Sequence, residues 1–387
     1  MLISLFVHDL CSNPIVRAAP IGAALERLGH QVEVVGCVRP GVGVYAPYAQ
    51  RFPYKTAVRE SASPNRRDPG LERELAALAT GDVIYSFKPL YTTFAPALRA
   101  SGLGRSRPLL LDVEDDETLG IERRGWQGTV QRLLDRDVPR QPRLELLRLF
   151  LRCCAGVTVS SSGLQRRYGG DIVLHGPDAT VFDPTLERLD PRRCRVQLGL
   201  PEEGPLALFA GKPVPHKGLK RLVEAVGRSA EGWRLALAGN PGDAEFQEAK
   251  RTLGDRCLLL GLLPNERMPA LLAAVDAVPV PQERTPYAAA QIPAKLLEAM
   301  AMSKAVIVSR VGDLPQIVGE TAESPRGWVC EPGDAESLAR ALDEIVAAPD
   351  ERNRRQAAAR RFFLASASVD AVATRLRPIM ASVGRRK

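Results

Sequence analysis

A chain of 387 residues that is 45% hydrophobic and 25% charged is globular, and it is long enough for two ordinary cores. Its seven cysteines (Cys11, Cys37, Cys153, Cys154, Cys194, Cys257, Cys330) form no CxxC pair and no Cys/His cluster, which argues for a reducing compartment and against a zinc site. The net charge of +8 fits an arginine-rich composition, an anionic substrate or an anionic membrane surface. Nucleic acid is the weaker reading, because basic and aromatic residues do not interleave.

The N-terminal stretch MLISLFVHDLCSNP lacks the basic start and long apolar run of a signal peptide. No apolar run approaches the roughly 20 residues that a membrane-spanning helix needs. A cytoplasmic protein is expected. In the first half, LISLFV, QVEVVG, DVIYSF, PLLLDV, GVTVS and DIVLH are strand candidates, with helical patterns at 19–29, 71–80 and 143–154. Residues 38–70 show no sustained period and read as a long irregular excursion. A proline- and charge-rich stretch, HGPDATVFDPTLERLDPRR, reads as a linker. The second half repeats the alternation with LALFAG, RLALAG, RCLLLG, DAVPVP, AVIVS and GWVCE. Strands alternating with helices imply parallel sheets built from βαβ units. The expected fold class is therefore α/β, with two Rossmann-like doubly wound lobes facing a central cleft and ligands at the carboxyl ends of the strands.

Four stretches could carry chemistry. In LALFAGKPVPHKGLKRLVEAV (206–226) a buried strand ends at Gly211, a loop carries Lys212 and Lys217, and Gly218 opens an amphipathic helix. Glycine lets a ligand approach backbone, and ammonium groups beside a helix start suit a phosphate; a solvated basic turn is the plain alternative. There is no GxxxxGK[ST] loop and no GxGxxG between strand and helix, which disfavours a nicotinamide dehydrogenase. QIPAKLLEAMAMSKAVIVS (291–309) is a proline-started helix running into a buried strand. Its Lys295 and Glu298 form either an exposed i,i+3 ion pair or the ligand-facing start of the helix. LLLDVEDDETLG (109–120) places five acidic residues after a strand. PRQPRLELLRLFLRCC (139–154) mixes arginine and leucine on a helix, which suits simple packing with snorkelling arginines or docking on anionic lipid.

Taken in order, AGKPVPHKG, LALAGNPGD, LLGLLPNERMPALLAAVDAVPVP and IPAKLLEAMAMSKAVIVSRVGDLPQIVGE resemble the family-4 (group 1) retaining glycosyltransferases of the GT-B fold. HDLCSNPIVRAAPIGAALERLGHQVEVVG and GVTVSSSGLQRRYGG with VLHGPDATVFDP are similar to that family's first lobe and its approach to the linker. The implied organisation is an acceptor-side lobe at 1–182, a linker at 183–193 and a nucleotide-sugar lobe at 194–362. A C-terminal helix at 363–387 would pack back on the first lobe.

By the same resemblance, Gly211, Lys212 and Lys217 hold the diphosphate of a nucleoside diphosphate sugar, which is a co-substrate; no cofactor and no metal are implied. Backbone amides around Ile292, Pro293 and Ala294 complete the phosphate site, Glu298 binds the ribose hydroxyls, and Gly261, Leu262 and Leu263 lie by the base. Glu114 falls near the reacting carbon, although an acidic residue at a helix start is an equal reading. His8 would line the cleft. The metal-binding DxD of the alternative GT-A fold is disfavoured, because DVEDDE contains no Asp-x-Asp. One position departs from the family: Ala290 stands where a second glutamate is common, with Gln291 and Glu283 nearby in sequence. A deoxy or modified donor sugar follows as a candidate. Lys295 is assigned no ligand.

The expected reaction is sugar transfer to an acceptor hydroxyl with retention of anomeric configuration. The acceptor stays open between a glycan, a lipid-linked sugar and a small molecule, and peripheral contact with the inner face of a membrane stays open with it. A nucleotide-sugar epimerase or hydrolase of the same fold is the alternative enzyme. A non-catalytic nucleotide-sugar-binding relative is the alternative motivated by Ala290.

Overall fold

A computed structural model describes residues 1–12, 14–64, 66–116 and 146–384. The chain divides into two compact units, Met1–His175 together with Val369–Lys387, and Gly176–Ser368.

Among the described residues, the first unit holds one all-parallel sheet. Its strands are β1 (Leu2–Asp9), β2 (Gln31–Val38), β3 (Tyr54–Val58), β4 (Val83–Phe87), β5 (Leu109–Val113), β6 (Gly156–Val159) and β7 (Asp171–Ile172). Their order is β3-β2-β1-β4-β5-β6-β7, so the winding reverses between β1 and β4. The central strands read as continuous apolar runs because helices cover both faces of a parallel sheet. On one face, Ala18, Ile21 and Leu25 of the helix Ile15–Arg27 share a core with Ile3, Leu5 and Val7 of β1. The helix Val369–Gly384 adds Val372, Leu376 and Ile379 to that core, which places the C-terminal segment on the first unit.

Two stretches of this unit differ from the sequence reading. Residues 38–70 are not wholly irregular: β3 lies parallel to β2 at the sheet edge, and the helix Pro69–Leu78 starts on an Asp68 cap. The edge strand YKTAV buries only Ala57, so its alternation carries almost no apolar signal. Of the arginine-leucine stretch, 139–145 lies outside the described residues. Residues 149–153 form a 3₁₀ turn, with Arg148 stacked 5.1 Å from the Tyr168 ring centroid and donating to the Arg167 carbonyl at 2.7 Å.

The second unit repeats the plan. Its strands β8 (Leu206–Ala210), β9 (Arg234–Ala238), β10 (Cys257–Gly261), β11 (Ala277–Val280), β12 (Ala305–Ser309) and β13 (Trp328–Cys330) are all parallel, in the order β10-β9-β8-β11-β12-β13. Winding reverses between β8 and β11. The core joins Phe209, Leu222, Val226, Leu235, Phe246 and Leu342 around a fully buried Trp233. Residues 183–193 contain a 3₁₀ turn (Glu187–Leu189) and the start of the helix Pro191–Gln197, whose Arg193 amide donates to Asp190 at 2.8 Å. All seven cysteines are free thiols, and no described helix is long and apolar enough to cross a membrane.

Candidate active site

In a doubly wound sheet the loops at the reversal point diverge and leave a crevice at the carboxyl edge. In the second unit those loops are 211–218 after β8 and 281–293 after β11. Gly218 has φ +69°, and a Cβ there would stand 1.8 Å from the Pro281 carbonyl oxygen. Only glycine lets the two loops meet. The Glu283 amide donates to the His216 carbonyl at 2.8 Å, and the His216 and Tyr287 rings pack edge-on at 5.2 Å, which ties the loops together. With the loops tied, Lys217 is half-buried and its Nζ sits over Gly211, 3.8 Å from where a Cβ would be. Lys212 is exposed.

The helix Ala294–Ala301 begins at this edge without a side-chain cap, because Pro293 occupies the cap position. Its first amides are therefore left for a ligand or solvent. Ile292 is buried and fixes the approach to the helix, while Pro293 and Ala294 are half-buried. Lys295 and Glu298, also half-buried, do not form the i,i+3 ion pair. Lys295 turns onto the buried Phe209 ring instead, with Nζ 4.4 Å from the centroid. Burial lowers its pKa from 10.5 to about 7, the Lys217 charge pushes the same way, and Glu298 opposes them. Burial also raises the Glu298 carboxyl from 4.5 to about 7, against the pull of Lys295. Lys217, Lys295 and Glu298 thus lie close enough at the reversal point for their charges to act on one another, and such clustered shifts are commoner at functional sites than elsewhere.

The neighbouring positions are also settled. Ala290 is buried at the end of the short helix Pro286–Ala290, and its side chain is a methyl group. Glu283 faces Arg221 at 3.7 Å, and Gln291 Oε1 accepts from Gln282 Nε2 at 3.3 Å. Neither residue stands in for the missing glutamate by a contact seen here. Gly261 ends the edge strand β10, two strands from β8, and Leu262 and Leu263 follow it, with Leu262 76% exposed.

In the first unit His8 lies on β1, at the reversal point, and Glu114 one strand beyond β4. His8 is the last residue but one of β1, its Nδ1 2.8 Å from Thr92 Oγ1. Glu114 follows β5, and Lys88 Nζ lies 3.4 Å from its Oε1 and 3.2 Å from Asp115 Oδ2. Burial raises the Glu114 carboxyl to about 7, with Lys88 pulling it down. Sequence reasoning missed Lys88, although it directly follows a predicted strand end. Its φ of +66° is unusual for a residue with a Cβ and is held by its amide donating to the Asp112 carbonyl at 2.7 Å. Beneath it, the fully buried Arg17 donates to both Asp112 oxygens (2.8 and 2.7 Å) and to the Val173 carbonyl, and lies 2.7 Å from His175 Nδ1. Burial and the adjacent guanidinium hold His175 well below the ordinary imidazole range, so its Nδ1 accepts. The acidic run is thereby dispersed: Asp112 pairs with Arg17, Glu114 and Asp115 with Lys88, and Asp116 with Arg167. Glu117 lies outside the described residues. Among those described, no group of three or more His, Cys, Asp or Glu side chains could hold a metal ion.

The carboxyl-edge geometry of the second unit coincides with a match to a known family. Residues 191–362 match the model of the glycosyl transferases of group 1. The match covers residues 191–362 of the 387, all within the second unit. Among curated relatives, the chain is 27% identical over 219 residues to the 2-deoxystreptamine glucosyltransferase of Streptomyces kanamyceticus, covering 52% of this chain and 54% of the relative. It is 29% identical over 189 residues to the D-inositol 3-phosphate glycosyltransferase of Corynebacterium efficiens, covering 45% and 42%. The chain spans about half the length of the curated relatives it matches. Similarity of fold extends across both units. HepE of Anabaena, solved with UDP and glucose, superposes with a TM-score of 0.73 at 17% identity over 99% of this chain and 100% of its own. Sucrose-phosphate synthase of Thermosynechococcus elongatus gives 0.71 at 18% over the whole of both chains. The fold is thus GT-B, with two Rossmann-like parallel-sheet units.

Proposed function

We propose that the protein is a retaining glycosyltransferase that moves a sugar from a nucleoside diphosphate sugar to an acceptor hydroxyl. The observation that carries this reading is the convergence of Lys217, Lys295 and Glu298 on an uncapped helix start at the reversal point of the second sheet. In the reaction the bond from the anomeric carbon to the β-phosphate oxygen breaks, and its electron pair leaves with the phosphate. The acceptor oxygen bonds to the same carbon, and its proton passes to a base. What the protein must supply is positive potential at the departing phosphate and support for an oxocarbenium-like centre.

Lys212, Lys217 and the backbone amide of Ala294 supply the potential in this reading, and no divalent ion is needed for it. Glu298 accepts from the ribose diol. Gly261–Leu263 flank the base. Glu114 and His8, on the first unit, serve the reacting carbon and the acceptor. With Ala290 apolar, the sugar face lacks one acceptor, which favours a deoxy or otherwise modified sugar. The solved HepE structures contain UDP and UDP-glucose, which makes uridine the first base to try.

The experiment is calorimetric titration with UDP, GDP, ADP and dTDP, followed by product analysis of the matching sugar nucleotides with and without candidate acceptors, in EDTA. Micromolar binding of one diphosphate and product formation only with an acceptor are expected. Donor turnover without acceptor would replace the transferase by an epimerase or hydrolase. Binding of no nucleotide would end the donor-site reading.

A further inference from the structure

Gln282 has no part in the assignment above, and only one end of its side chain is paired. It lies two residues past β11, at the reversal point, and is 1% exposed. Its Nε2 donates to Gln291 Oε1 at 3.3 Å, while its Oε1 is buried with no hydrogen-bond partner among the described residues. Of the described buried side-chain atoms left in that state, it alone lies on the loops 211–218 and 281–293. The backbone is not free to shift and find it a partner. The Gln282 amide donates to the Val280 carbonyl at 2.9 Å, the Pro281 carbonyl before it abuts Gly218, and the Glu283 amide after it donates to His216. A buried polar end left unpaired is costly, and native proteins keep few of them. At the carboxyl edge of the sheet, the group that can complete it is a ligand's.

We propose that Gln282 is a sugar-recognition residue: its side-chain amide, oriented by Gln291, takes one hydroxyl of the sugar that is transferred. This rests on the donor-site reading. In that reading the other parts of the donor already have partners, the phosphates at Lys212 and Lys217, the ribose at Glu298 and the base beside Gly261. The sugar does not, and the residue before Gln291 is Ala290, whose methyl group makes no hydrogen bond. Rotation of the Gln282 side chain brings its free end to the ligand while the backbone stays fixed. A hydroxyl suits whichever way the amide is turned, because it both donates and accepts. A phosphate oxygen, which only accepts, suits one way alone. The free end is already shut off from water, so the sugar meets it without the desolvation that offsets most hydrogen bonds on binding. One amide end takes one hydroxyl where a carboxylate can take two, so a sugar with fewer hydroxyls still fits.

The test uses the full chain as wild type, Gln282→Met and Lys217→Ala, titrated with UDP, UDP-glucose and the singly deoxygenated analogues of UDP-glucose. If another base or hexose binds better, its diphosphate, ester and deoxy esters replace them. Methionine keeps the length of the side chain without its polar end. Ligand-free Gln282→Met should melt at or above the wild-type midpoint, because an unpaired buried polar group has been removed. It should bind UDP within about twofold of wild type and UDP-glucose roughly tenfold more weakly, as expected for one hydrogen bond. In wild type one deoxy analogue should lose about the same tenfold. In Gln282→Met that analogue and UDP-glucose should bind alike. Equal weakening of UDP and UDP-glucose would put the amide on the ribose or in loop packing. Unchanged UDP-glucose affinity would deny it a ligand, and a lowered midpoint would mean that its free end is paired within the protein. Each of these overturns the inference while the donor site stands. If Lys217→Ala leaves UDP affinity unchanged, the donor-site reading falls and this inference falls with it.

Discussion

In the first unit, the carboxyl edge around β1, β4 and β5 carries Arg17, Lys88, Asp112, Glu114 and Asp115, and each of them meets an opposite charge within the unit. In the second unit, the same edge of a sheet with the same winding carries Lys217, Lys295 and Glu298. There the two lysines repel one another, and Glu298 does not close an ion pair with Lys295. The helix starts tell the same story on a smaller scale. Pro69–Leu78 and Ala335–Ala347 are capped by Asp68 and Asp334, with Glu72 and Glu336 in their first turns, as an isolated helix dipole prefers. Ala294–Ala301 has proline at the cap and a lysine in the first turn, an arrangement that its own dipole opposes. Topology alone therefore does not distinguish a built structural network from a ligand site. The charge at the helix start does.

The sharpest break between the two edges should be in stability. Arg17 and Asp112 are both essentially inaccessible, so Arg17→Ala leaves a carboxylate buried with, among the described residues, only the Thr158 hydroxyl donating to it. Losing one partner of a buried pair costs about 3–5 kcal/mol, a large part of a typical folding free energy. Urea unfolding should show it as a collapse of the midpoint. A wild-type midpoint would mean that the network is not what holds that edge together.

Function should divide the other way. Lys217→Ala should unfold at the wild-type urea concentration and yet lose on the order of 10²–10³ in kcat, the cost of one preorganised contact to a developing anion. Lys212→Ala, with its exposed side chain, should lose less. Steady-state rates at saturating donor decide this, and near-wild-type turnover of both variants would remove the phosphate assignment.

Glu298→Ala comes next in size. A diol left without its acceptor costs about 1–3 kcal/mol, so diphosphate affinity should fall roughly tenfold or more while the 2′-deoxyribose analogue loses little. Unchanged affinity for both would return this helix to an ordinary packing role.

How much of this was legible beforehand follows from what each feature is made of. The parallel sheets could be read because buried strands such as AVIVS are continuous apolar runs, and the Gly218 turn because a glycine between lysines has few other uses. The edge strand β3 could not, because it buries a single side chain. Lys217 and Glu298 are named through family resemblance and helix-start chemistry, and the fold places both by the reversal point of the second sheet. Lys295 stays open in the sequence, since i,i+3 spacing says two side chains can meet and is silent about Phe209, 86 residues earlier, on whose ring the ammonium rests. The partners of Asp112 lie at positions 17 and 158, so the acidic run looked like one cluster until the fold dispersed it.

The smallest expected effect is in the pH dependence of the ligand-free protein, and its sign is specific. Folding raises the Glu298 pKa from 4.5 to about 7, so between those values the native state holds a proton that the unfolded chain has lost, and stability falls as pH rises. Folding lowers the Lys295 pKa from 10.5 to about 7, so above pH 7 the unfolded chain holds the extra proton, and stability rises with pH. Their combined contribution is least favourable near pH 7. Both side chains are only half-buried, so solvent screening keeps each contribution small, no more than about 2–4 °C in Tm for a unit of this size. Difference curves against wild type isolate the two groups. The gain in Tm from Glu298→Gln should grow between pH 5 and 7 and then level off. The gain from Lys295→Met should be level below pH 7 and shrink above it. Saturating diphosphate should erase both gains, because the ligand neutralises in wild type what the substitutions remove. Flat difference curves from pH 5 to 9 would show that these groups are already satisfied in the free protein, and the contrast between the two sheet edges would then be one of composition only.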